Sequence, residues 1–193
     1  MPSNNNRYFS QWHFRIPLRP PTLSPDFPPS TIALKAIDES WEVSYIDSCS
    51  RPTLHVEVET LSISIGIQES ITIEIPMLLQ GWLHEKAKEV LSYELMHTAR
   101  KMGVTFNRVR IKNQRTLWGS CSVLNNINLN QKLLFLSADV MSYVLHHELT
   151  HLKVFNHSKN FWMELGKFYK DPKKAQKKLT DESQTLVPRW ARM

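Results

Sequence analysis

The sequence predicts an α+β fold, and three observations predict it. Polar and apolar residues alternate with period two along residues 54–75, the period of a half-buried strand. A helix-period stretch signalled at both ends follows at 77–101, and a second apolar helix runs over 138–155. With 193 residues, 41% hydrophobic and 22% charged, the chain suits one domain with its own core. The domain is expected over residues 31–180, between an arm at 1–30 and a tail at 181–193.

Taken in order, residues 1–30 hold seven of the eleven prolines, in runs such as RPPTLSPDFPPS. Proline resists helix and supplies no ladder donor, so this stretch reads as an extended arm, with Tyr8, Phe9, Trp12 and Phe14 available for docking. In TLHVEVET the residues Leu54, Val56 and Val58 alternate with His55, Glu57 and Glu59; in LSISIGIQ the apolar set is Leu61, Ile63, Ile65 and Ile67. The parity flips between 58 and 61, so a turn or bulge must sit there. A third run, ITIEI at 71–75, stops at Pro76, and the segment reads as an antiparallel sheet with one buried face. His55 falls on its polar face.

Pro76 suits the first turn of the helix MLLQGWLHEKAKEVLSYELMHTARK, which closes on Arg100 and Lys101 before Gly103. His84 and His97 within it read as packing or surface residues. FNRVRIK and INLNQ are two further extended pieces, and WGSCSVLNN between them supplies turn chemistry at Gly119 and Asn125-Asn126. Cys49 and Cys121 lack C-x-x-C spacing and read as buried thiols.

Ser137 is the candidate N-cap of ADVMSYVLHHELTHLKVF, with Asp139 in the first turn where a negative charge suits the helix dipole. Projected at about 100° per residue, Ser142, His146, Thr150 and Lys153 form one narrow stripe, expected to face solvent. His147 and His151 lie opposite with Val140, Val144 and Phe155, and Glu148 falls beside Met141 and Leu152. Three polar side chains therefore sit on an apolar face. An unpaired buried carboxylate costs several kcal/mol, so the pattern calls for a partner. H-E-x-x-H provides one: two imidazoles one turn apart aim at a single Zn²⁺ and the glutamate stays free to move a proton. A buried salt-bridge network is the alternative.

A catalytic zinc usually takes three protein ligands and keeps a fourth position open. His157 is the natural third, provided the helix breaks first; Asn156, which tolerates the left-handed conformation, is the candidate stop. Ser158 then caps a further helix, KNFWMELGKFY, whose Phe161 and Trp162 would pack against the site. Glu164 in that helix is the rival third ligand.

The net charge of +6 is concentrated at 167–179, KFYKDPKKAQKKL, where six lysines face one aspartate. That patch reads either as a solvated helix or as a weak contact for nucleic acid or an acidic partner. No apolar run approaches the roughly 20 residues of a membrane span. The N-terminus lacks a secretory apolar region, and a cytoplasmic location is expected.

The stretch from Arg115 to Trp162 closely resembles the YgjP-like metallopeptidase domain, whose hallmarks are W-G-S-C-S, I-N-L-N, H-E-L-x-H-L and N-H-S-x-x-F-W. Residues 54–103 fit that layout more loosely, and 1–30 look like an addition to it. The resemblance implies a small zincin-like α+β fold with an antiparallel or mixed sheet, a long helix, an H-E-x-x-H helix and a following C-terminal helix, with His147, His151 and His157 as zinc ligands and Glu148 as catalytic acid and base. More distantly, Phe161 and Trp162 after the third histidine are similar to the SprT and WLM proteases, which act on proteins linked to DNA or on modified protein. The histidine spacing also matches metzincins, but Val154 stands where they need glycine and no Met-turn follows.

The function expected is a zinc metallopeptidase acting on polypeptide through a zinc-activated water, with Glu148 taking the water's proton and passing it to the leaving amine. Tyr143, one turn before His147, and Arg115 are candidate second stabilisers of the oxyanion. By resemblance, the WGSCS strand is the candidate substrate edge. Nucleotide phosphoanhydride hydrolysis is an alternative weakened by the lack of a Gly-rich phosphate loop. A non-catalytic zinc module is the other, but four ligands normally close such a site and it has no need of Glu148.

Overall fold

The computed structural model describes residues 27–47, 52–67 and 74–192. Cys49, residues 71–73 of the third alternating run and Tyr8, Phe9, Trp12 and Phe14 of the arm lie outside them. Four strands form one sheet: β1 (Thr31–Leu34), β2 (Glu39–Asp47), β3 (Thr53–Glu57) and β4 (Ser62–Ile67), in the order β1-β2-β4-β3. Asp38 turns β1 into β2 at φ 54°, and Leu61 turns β3 into β4 at φ 49°. The second turn lies where the apolar parity flips, and with it Ile63 and Ile65 are fully buried.

The sheet is mixed, within the antiparallel or mixed arrangement expected for the fold, although the alternating run by itself read as antiparallel. β4 inserts between β2 and β3, so it pairs antiparallel with β3 but parallel with β2, Glu42 opposite Ser62. β3 is left on the edge, where Val56 and Val58 are exposed despite their alternation.

α1 (Ile75–Met102) begins with a proline in its first turn, where no helical partner is lost, and ends at Gly103 in the left-handed region, φ 63°. Ile75 is thus the first buried residue of a helix and Glu74 its cap, where a strand was expected. Leu79, Leu83, Ala87, Leu91 and Leu95 form its buried stripe. A second sheet follows, β5 (Arg108–Lys112), β6 (Gly119–Cys121) and β7 (Asn126–Asn130), in the order β5-β7-β6. β6 runs antiparallel to β7 and occupies an edge; Asn125, at φ 56°, makes the turn between them.

α2 (Ala138–Thr150) packs on α1 and on β6, with α3 (Lys159–Gly166) and α4 (Pro172–Thr185) against it. Ser137 takes the extended N-cap conformation, but its hydroxyl donates to Asp139 and Glu182 and accepts no cap bond. α4 crosses residue 180, and a short 3-10 turn (Arg189–Arg192) follows. There Trp190 is buried with its ring 5.8 Å from Phe135, and its carbonyl accepts a 2.7 Å bond from Gln80 Nε2 of α1.

Candidate metal centre

Helical spacing sets His147 and His151 one turn apart on the buried face of α2, and their Nε2 atoms stand 3.3 Å apart. His157 comes from the loop beyond the helix, its Nε2 3.0 Å from that of His147. The three histidines could hold a metal ion, with ligand atoms all within 4.8 Å of one another. Two nitrogens bound at about 2.0–2.1 Å to a tetrahedral zinc would lie roughly 3.3 Å apart, so the spacing fits that ion.

The protons fit as well. His151 Nδ1 faces the carbonyl oxygen of Val154 at 3.2 Å, and since a carbonyl only accepts, Nδ1 is the donor and Nε2 a bare lone pair. Burial, aided by His157, pushes His151 down to about 4, and burial holds His147 well below the ordinary range. Neutral imidazoles whose lone pairs converge repel one another unless a cation lies between them.

Glu148 is 3% exposed, and its Oε2 has no hydrogen-bond partner among the described residues. Burial raises its carboxyl to about 8. β6 packs directly against it: a Cβ on Gly119 would lie 2.7 Å from Glu148 Oε1 and Cγ. Cys121, on the same strand, is buried, and burial and then the Glu148 charge push its thiol up to about 12. Aromatic rings pack on the histidines. The Phe161 centroid lies 4.9, 4.6 and 4.5 Å from His147, His151 and His157, while Trp162 Nε1 donates to the His157 carbonyl at 3.1 Å.

The route to His157 differs from the sequence expectation. α2 stops at Thr150 instead of 155, because Lys153 and Val154 both turn back to the Thr150 carbonyl. Asn156 is not among the positive-φ residues; its side chain accepts from Ser158 N. His146 and Thr150 are not on a solvent stripe either. The 168–169 segment covers His146, with Phe168 and Tyr169 centroids at 5.1 and 5.3 Å, and Thr150 is fully buried, donating to His146 O.

Glu164, the rival third ligand, pairs instead with Lys167 and with Lys153, the latter at 3.7 Å. Tyr143 is buried with its ring 6.1 Å from His147, and Arg115 lies exposed ahead of β6. In the lysine patch Lys178 pairs with Asp139 at 2.7 Å, while Lys170, Lys173, Lys174 and Lys177 are exposed. Sequence reasoning missed the Val154 carbonyl and took Gly119 for a turn residue. An isolated glycine within an extended run was the available signal for a close approach.

No curated protein matches the chain. Among solved structures, the crystal structure of the metallopeptidase zymogen of Pyrococcus abyssi abylysin is similar at 28% identity and a TM-score of 0.38, over 50% of this chain and 93% of that one. The model of the YgjP-like, metallopeptidase domain matches residues 33–182, a span that includes both sheets but for the first two residues of β1, and the whole histidine cluster. On that match the chain belongs to the YgjP-like metallopeptidase domain family and is a metal-dependent peptidase.

Proposed function

We propose that the metal is zinc, held by His147, His151 and His157, and that Glu148 is the general base and then the general acid of peptide-bond hydrolysis. The observation that carries this reading is the convergence of three Nε2 atoms, with a buried carboxylate on α2 that has an oxygen without a hydrogen-bond partner among the described residues. When bound, zinc acidifies a water molecule and polarises the scissile carbonyl.

The chain's own groups supply the rest. Glu148 accepts the attacking water's proton and delivers it to the departing amine nitrogen, its burial keeping bulk water from the carboxyl. β6 has β7 on one side only, so an extended polypeptide can add to its other side by main-chain hydrogen bonds and lie beside Glu148. The four exposed lysines support a weak, salt-sensitive nucleic-acid contact as a secondary property. A cytoplasmic location is part of the same reading.

The test is Glu148→Gln, assayed for zinc content and for hydrolysis of an unfolded polypeptide. Retained zinc with turnover reduced about 10²- to 10⁴-fold is expected; undiminished hydrolysis would overturn the assignment.

A further inference from the structure

Gly119 lies within β6, and its φ is outside the left-handed region, so its backbone does not call for glycine. Space does. A Cβ there would meet Glu148 Cγ and Oε1 at 2.7 Å and Cδ at 2.8 Å, closer than side-chain atoms approach. Glu148 cannot readily give way: it is nearly inaccessible, and its helix packs on both α1 and β6. By contrast, a Cβ on Gly81 or Gly166 would meet nothing within 4 Å.

We infer that Gly119 is a positioning residue: the missing side chain lets the edge strand close onto the Glu148 carboxylate and sets the carboxylate's distance from both the histidine cluster and any chain lying along β6. The inference rests on the proton-transfer role proposed for Glu148, but the contact itself is testable without activity. A methyl group at 119 must displace either the carboxylate or the strand, and both separate the base from the bond it acts on. Misplacement of a catalytic group by about 1 Å can cost on the order of 10²-fold in rate.

The experiment is a four-member cycle of wild type, Gly119→Ala, Glu148→Ala and the double variant, with Gly166→Ala as control, followed by thermal unfolding, zinc affinity and steady-state kinetics. Gly119→Ala should lower Tm by roughly 5 °C in the wild-type background and by nothing where Glu148 is already alanine. Its kcat should fall about 10²-fold or more with KM and zinc stoichiometry retained. If Gly119→Ala fails to fold, recovery of folding in the double variant supports the contact and failure of both overturns it. An equal Tm loss in the two backgrounds, or an unchanged kcat, also overturns it. Should wild type lack peptidase activity, the unfolding cycle still decides the contact, while the role of Glu148 fails separately.

Discussion

At the scale of single residues, the centre depends on polar groups held where water cannot reach them, and Glu148 is not the only one. Lys132 is 1% exposed, and its ammonium donates to Asn113 Oδ1 and to the Gln114 carbonyl. Burial, then Arg192 and Arg115, lowers it to about 8, against about 10.4 in an unfolded chain. The unfolded state therefore binds more protons between those values, and Lys132 makes the fold more stable as pH rises from about 8 to 10.4. Lys132→Met should remove that rise. The difference in unfolding free energy between variant and wild type, followed by denaturant titration, should move by a few kcal/mol in favour of wild type from pH 7 to 10. A pH-independent difference would refute the burial argument. A further prediction at this scale, the retained zinc and lost turnover of Glu148→Gln, draws on the same physics: a desolvated carboxylate that, in the function proposed, must exchange protons.

At the scale of elements, α2 supplies two histidines by its periodicity, whereas the third depends on how a loop is pinned. Three contacts pin it: Val154 O accepts from His151, Asn156 Oδ1 accepts from Ser158 N, and Trp162 Nε1 donates to His157 O. Trp162→Phe keeps an aromatic ring and removes one donor. It should weaken zinc binding about 10- to 100-fold, measured by competition with a chelator, with little loss of Tm. This division explains what could be read in advance. His147, Glu148 and His151 were legible because i, i+4 spacing is local, as were the Pro76 and Gly103 ends of α1. The path from Thr150 to His157 was not, since it depends on which carbonyls the descending chain can reach. Gly119 carried a signal for a close approach but not for what approaches it, because Glu148 lies 29 positions away in the sequence, on another element.

At the scale of the whole molecule, non-local pairing decides the parts that periodicity left open. No pattern within β2 or β4 announces that they lie parallel, and hairpin logic alone favours an antiparallel sheet. The C-terminal segment makes the same point through Trp190, which joins Phe135, in the 3-10 turn Gln131–Phe135 before α2, to Gln80 of α1 by its ring and its carbonyl. Trp190→Ala should cost about 3–5 kcal/mol and lower Tm by roughly 10 °C in calorimetry. A change of less than about 1 kcal/mol would show that residues 187–192 contribute little to the fold. One last consequence concerns the length of β6. Three residues make a ledge about 10 Å long, enough to grip a guest by two or three amide links but too short to read much of its spelling. On the reading proposed above, such a ledge selects by pliancy, admitting frayed tails and opened loops while turning away compact bodies of any composition.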